Sequence, residues 1–275
     1  MSIKTKLAAL AVMAAGLVFA DGAKQMALMS VGYNGTDALP NFQALVKLPD
    51  GVEGFSYDDY SAQDGSDIWF TDSSGNVIPH EIDTWNPSGE SLVWVTMPVL
   101  ESSTTYVVMH WGEARGEHVT EDPVWNGFIG VWHMGTASGS ENEPDASGHG
   151  LHAVPTPGVL SSGKGNVSQM TVTDGVVGNA RFNQTGKTNH NGLKVPNYSA
   201  FISDPATFSV SGWWKLTGAS SIWPRFIAQR PGTSSGAGSG WEIECYVNAT
   251  TKISGVRAGN DMNTKFGEFT VPDMS

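Results

Sequence analysis

The sequence predicts an all-β protein built from β-sandwiches, and three observations predict it. Short runs alternate apolar and polar residues. Each run is bounded by Gly, Asp, Asn, Ser or Pro. Beyond residue 20, the 3.6-residue apolar period of an amphipathic helix is hard to find. In chain order the runs are "FQALVKL" (Phe42 to Leu48), "SDIWFT", "SLVWVTMPVL", "TTYVVMHW" and "TFSVSGWWKL". Between "DIWF" and "VIPHEI" lies "DSSGN", Asp72 to Asn76, whose Asp, Gly and Asn are the residues of a tight hairpin turn. Many short strands separated by frequent turns are the pattern of packed antiparallel sheets.

Residues 1–20 stand apart. Lys4 and Lys6 precede the apolar run "LAALAVMAAGLVFA", and Val18 and Ala20 occupy positions −3 and −1 of a cut before Asp21. This is the pattern of a secretory signal peptide. The run is short for a transmembrane span, and no later stretch is apolar enough to cross a membrane with a helix. A secreted, periplasmic or cell-surface location is expected. Without the leader the chain keeps 13 basic residues against 27 acidic ones, a formal charge of −14. Such a chain repels nucleic acid and anionic lipid. Neutral ligands, cations and cell-wall material are the partners this charge leaves open; plain solubility is the other reading. Cys245 is the single cysteine, so no intramolecular disulfide is available. It falls in "WEIECYV", sharing one strand face with Trp241, Ile243 and Val247, and is expected to be a buried, inert thiol.

The stretch "GEARGEHVTEDPVWNG", residues 112–127, is polar, charged and interrupted by a proline. It divides two strand-rich blocks, so the expected domains are 21–115 and 126–275. "TPGVLSSGKGNVSQ" and "RPGTSSGAGSG" read as loops within the second block.

The first block contains "GSDIWFTD", "IPHEIDTW", "VWVTMPVL" and "YVVMHWG", in that order. It resembles a bacterial family of unknown function with the same succession of strands across roughly residues 40 to 112. That resemblance implies a jelly-roll-like β domain in exported or envelope proteins, some associated with biopolymer-transport proton channels. It implies no established chemistry. The second block contains "GVWHMG", "PDASGHGLHA", "GVVGNARFNQ" and "ATFSVSGWWKL". It resembles the concanavalin A-like, laminin-G-like lectin module over Gly130 to Leu216. The resemblance implies a second sandwich, and the family pattern continues with further strands beyond "FGEFTVPDMS", so the module is expected to be incomplete at its C-terminus.

Val131 to Val154, "VWHMGTASGSENEPDASGHGLHAV", mixes three histidines with carboxylates and glycines. In related lectin-like modules the matching aspartate can hold calcium, which prefers six to eight oxygens. Asp145 is the candidate calcium ligand here. The competing reading is an Asx-turn, in which Asp145 bonds its own loop. His149 and His152, with His133 upstream, lack the three or four closely set ligands of a zinc site, so zinc is not expected. "HEIDTWN" places Glu81 and Asp83 at the alternate positions of a strand, resembling the ExDxxE arrangement of some sandwich glycosidases. The third position is Asn86, not an acid, so the pair of carboxylates that glycoside hydrolysis needs is incomplete.

The chain has 10 tryptophans. Trp69, Trp94 and Trp132 lie in alternating strands and read as core. Trp213 and Trp214 are neighbours on an expected strand and face opposite sides, one inward and one open. Trp223, beside a proline, reads as a loop aromatic. Trp213 and Trp223 are the candidate carbohydrate-binding residues, because an indole can stack on the apolar face of a sugar, though tryptophan also fills sandwich cores. The expected function is therefore an exported, non-catalytic glycan-binding or adhesion protein whose partner is a glycan or cell-surface polysaccharide. The alternatives are a structural envelope module bound to envelope proteins of a biopolymer-transport assembly, or an accessory module of a polysaccharide-degrading enzyme.

Overall fold

The computed structural model describes residues 13–16, 25–30, 33–50, 55–59, 62–101, 105–111, 123–136, 140–157, 159–160, 163–164, 170–183, 191–196, 208–215, 225–229, 240–247, 252–259 and 265–270. Among them the chain is all-β, apart from one 3-10 turn at Tyr57–Asp59, and every strand pairing is antiparallel. Two compact units divide it, Met1–Asn197 and Tyr198–Ser275. The polar stretch 112–127 lies within the first unit, and residues 112–122 fall outside the described ones.

In the first unit the strands are β1 (Met13–Gly16), β2 (Gln25–Ser30), β3 (Leu39–Pro49), β4 (Trp69–Thr71), β5 (Val77–Ile78), β6 (His80–Thr84), β7 (Glu90–Leu100) and β8 (Tyr106–Trp111). They form a five-stranded sheet, β1-β2-β8-β4-β5, and a three-stranded sheet, β3-β7-β6. β1 falls within residues 1–20, the stretch whose sequence pattern is that of a signal peptide. Small sheets follow: β9 (Val154–Thr156) with β14 (Gly192–Lys194), β10 (Val159–Leu160) with β11 (Gly163–Lys164), and β12 (Met170–Asp174) with β13 (Asn179–Asn183). The second unit carries β15 (Arg225–Gln229), β16 (Gly240–Val247), β17 (Lys252–Gly259) and β18 (Lys265–Thr270) in one four-stranded sheet in sequence order. β16 forms where "WEIECYV" alternates, but its side chains lie outside the described residues, as does the environment of the Cys245 thiol.

Alternation explains the core. Along β7, Val93, Val95 and Met97 point to one face and are 0%, 0% and 1% exposed. Ala44, Val46 and Leu48 of β3 share that face. Phe70, Ile78, Val107, Met109 and Trp111 from the five-stranded sheet complete the same buried cluster. The two sheets thus share one hydrophobic core. The turn Asp72 to Asn76 forms as its residues require: Asp72 Oδ1 accepts from the backbone N–H groups of Ser74 and Asn76, both at 2.9 Å, and Gly75 takes φ 84°. Pro79 separates β5 from β6, and the two strands join different sheets.

The other face of the three-stranded sheet carries Gln43, Leu45, Leu92, Trp94, Thr96, Glu81 and Asp83. The register confirms it: Gln43 lies opposite Thr96, while Leu45 and Glu81 flank Trp94. This face is not left to solvent. The segment 123–136 lies over it, with the Val124 carbonyl accepting from Gln43 Nε2 and Thr96 Oγ1, each at 3.1 Å.

Candidate functional site

The groups that sequence pattern singled out fall into three places. The first is the outer face of β6. Alternation puts Glu81 and Asp83 side by side, as expected for i and i+2 on a strand. Between them, from the covering segment, comes His133. Its Nε2 lies 3.2 Å from Glu81 Oε1, and its Nδ1 lies 3.1 Å from Asp83 Oδ1. Trp125 Nε1 donates to Glu81 Oε2. The imidazole lies over Trp94, ring centroids 6.3 Å apart at 22°, and beside Trp125 at 5.6 Å. Gly178, at φ 55° in the turn between β12 and β13, brings its backbone so close that an added Cβ would sit 3.0 Å from Asp83 Oδ2. Burial works against a charge on His133. The Glu81 hydrogen bond and the negative charges of Asp83, Glu81 and Glu143 outweigh it, and hold the pKa of His133 above the ordinary histidine value. Both ring nitrogens are engaged by carboxylates, so neither is placed to take a proton from a substrate.

The second place is the loop 140–153. Asp145 is 8% exposed, and both of its carboxylate oxygens are occupied. Oδ1 accepts from Val131 N at 3.0 Å, Ser147 N at 3.0 Å and Ser147 Oγ at 2.7 Å. Oδ2 accepts from Leu151 N at 2.9 Å. This is the bonding that an Asx-turn calls for. Burial raises the Asp145 pKa, but the donors from Val131, Ser147 and Leu151 more than offset it, and the carboxyl is held below the usual carboxylate range. His152 and His149 serve the same loop: His152 Nδ1 accepts from Asp145 N at 3.1 Å, and His149 Nδ1 lies 3.0 Å from Ser147 Oγ. Among the described residues, no group of three or more His, Cys, Asp or Glu is arranged to hold a metal ion. Beside the loop, Glu143 pairs with Arg181 of β13 at 3.0 Å, with side chains 2% and 6% exposed. Glu143 also accepts from Gly135 N and Thr136 Oγ1, both at 2.9 Å. The loop is closed by paired backbone bonds between Glu143 and Ala153 at 2.8 and 2.9 Å.

The third place lies in the second unit. Residues 208–215 adopt no strand, so the alternation argument for Trp213 and Trp214 does not operate there. The expectation that one indole is buried is corrected: Trp213 is 56% exposed and Trp214 43%. Trp214 packs on Phe226 of β15, ring centroids 5.3 Å apart at 31°. Trp223 lies outside the described residues. Of the expected core tryptophans, Trp69 is 7% exposed, whereas Trp94 lies under the covering segment and Trp132 donates from Nε1 to the Leu151 carbonyl at 2.9 Å.

Sequence pattern pointed to Glu81, Asp83 and Asp145 individually. It did not reveal the partnership of His133 with the two acids, or that of Arg181 with Glu143. The i, i+2 acid spacing was the one available signal for the first; nothing local marked the second. Compared with known proteins, the chain matches no family model, and neither a curated relative nor a solved structure is similar to it.

Proposed function

We propose that this chain is an exported, non-catalytic glycan-binding or adhesion protein of the cell envelope or exterior, with its sugar contact in the second unit at Trp213. The observation that carries the reading is the adjacent pair of indoles, 56% and 43% exposed. Large apolar surface is costly to leave in water, and adjacent exposed aromatics mark a contact surface. A flat indole presents an apolar face that matches the C–H face of a pyranose, while its N–H reaches a hydroxyl. Trp214 is anchored on Phe226, which leaves Trp213 as the freer platform. The acidic balance of the chain favours neutral polysaccharide over anionic polymers.

In this reading the chain comprises two jelly-roll-like sandwiches, the second concanavalin A-like. The shared core of two sheets supports the first, and the four-stranded antiparallel sheet of the second unit supports the other. The Glu81–Asp83 face does not argue for hydrolysis, because His133 lies between the two acids and occupies an oxygen of each. The test is retention of the full chain on a panel of insoluble polysaccharides and a glycan array. Wild type is expected to bind at least one neutral class, and Trp213→Ala to weaken that binding roughly tenfold or more, as for a buried aromatic anchor. Absence of wild-type binding across the panel, or unchanged binding by Trp213→Ala, overturns the reading.

A further inference from the structure

The two polar contacts of His133 cannot both be made by a neutral ring. Neutral imidazole has one N–H and one lone pair, and an ionised carboxylate offers only lone pairs. With Nδ1 at 3.1 Å from Asp83 and Nε2 at 3.2 Å from Glu81, a neutral ring would set lone pair against lone pair on one side. Both contacts become favourable only when the ring carries its second proton.

We propose that His133 is a proton-operated latch that holds the lobe formed by residues 123–136 and 140–153 onto the outer face of the β3-β7-β6 sheet, and that loss of the proton loosens the lobe and bares Trp94. The lobe is a unit because it is stitched internally: Val131 N donates to Asp145, Ala146 N donates to the Val131 carbonyl at 2.8 Å, and Trp132 Nε1 donates to Leu151. Among the described residues, its polar fastenings to the sheet end on four side chains, Gln43, Thr96, Glu81 and Asp83. Val124 is held by Gln43 and Thr96, while Trp125 and His133 both bind Glu81, and His133 alone adds Asp83. Glu81 therefore serves two fastenings, and an unprotonated His133 loses at least one of its own two contacts to the sheet. The closed state is also imperfect. Trp94 Nε1 is buried and has no hydrogen-bond partner among the described residues, a cost that opening to water removes.

The charged groups facing the imidazole are Glu81 and Asp83 from β6 and Glu143 from the loop. Arg181 is the nearby cation, but it is paired with Glu143. Trp94 of β7 and Trp125 supply ring faces only. The charges favour the proton and outweigh burial, so the latch is closed in acid and opens as pH rises through the folded-state pKa, which lies above the ordinary value of about 6.5. Because one proton is linked to opening, the ratio of open to closed lobe rises up to about tenfold per pH unit beyond that point.

Two measurements on the full chain test the latch. The Trp125 indole N–H crosses the lobe–sheet boundary, so its hydrogen exchange reports opening, with the exposed Trp213 indole as internal reference. The ratio of the two rates is expected to be flat in acid and to climb as His133 titrates, and to lose this climb in His133→Gln. A ratio constant from pH 5.5 to 9, or a climb that persists in the variant, overturns the proposal. Should the variant fail to fold, long-range 1H–15N spectra of wild type decide directly. Both ring nitrogens of His133 are expected to be protonated at pH 6, and a single neutral tautomer there overturns the latch.

Discussion

Glu143 and Arg181 form the most enclosed ion pair among the described residues, and their burial gives a sharp expectation. Removing one partner leaves an uncompensated charge, which costs about 3–5 kcal/mol, whereas replacing both with apolar groups of similar size is far milder. Arg181→Met is expected to lower stability by that amount in urea denaturation, and Glu143→Leu in the same chain to recover only part of it, because Gly135 N and Thr136 Oγ1 lose their acceptor. Equal losses in the single and double variants would show that packing, not charge, is at stake. Asp145 makes a second residue-scale prediction. Four donors already fill its oxygens, so Asp145→Ala should cost about 1–3 kcal/mol by leaving donors without an acceptor. The melting temperature of wild type should be the same in calcium, magnesium and chelator. A rise of several degrees with calcium alone, absent from Asp145→Ala, would instead make Asp145 a calcium ligand.

Strand β7 shows how one element serves two surfaces. Met97 is 1% exposed and belongs to the shared core, while Val99 of the same strand is 40% exposed. Met97→Ala is expected to cost about 2–5 kcal/mol, and Val99→Thr to stay within about 0.5 kcal/mol of wild type. Pro98 between them lacks an N–H, and the ladder to β3 passes from the Pro40–Val99 pair to the Phe42–Met97 pair without bridging Asn41. Asn41 there takes φ 48°, a left-handed conformation that asparagine tolerates and β-branched residues do not. Asn41→Val should therefore destabilise the chain by about 1–2 kcal/mol, while Asn41→Gly should be close to neutral. Equal stability of the two variants in thermal melts would remove the strain argument.

At the scale of the whole molecule, His133 and Asp145, two of the shifted groups, shape the pH profile from opposite sides. His133 has a raised folded-state pKa, so its contribution is fully present below about pH 6.5 and is lost as pH rises through that raised value. Asp145 has a lowered one, so its contribution is present above about pH 3.9 and is lost as pH falls through the lowered value. Stability of the full chain should thus peak between these limits, on the acid side of neutrality, and His133→Gln should flatten the alkaline decline alone. The net charge of −12 adds a separate expectation: moderate salt screens self-repulsion and should raise the melting temperature at pH 8. Scanning calorimetry across pH and salt checks both.

The strands β3, β4, β7 and β8 and the Asp72 to Asn76 turn were legible because each is written in successive residues. Alternation sets which side chains share a face, and Asp, Gly and Asn supply the dihedral angles and hydrogen bonds of a tight turn. The Glu81–Asp83 pairing on one face was legible for the same reason. Local pattern failed at Trp213 and Trp214, where alternation was assumed for a segment that adopts no strand. It was also silent on partners distant in the chain. His133 meets Glu81 across 52 positions, and Arg181 meets Glu143 across 38. Periodicity carries only the geometry of neighbouring residues, so the sequence by itself determined an all-β chain, its strand faces and its turns. Which acid faces which base depends on how sheets and loops close over one another. Only the tertiary structure set His133 between two carboxylates, a contact that exists only once the lobe packs on the sheet, and gave Asp145 its donors from Val131, Ser147 and Leu151 as the lobe closes on itself.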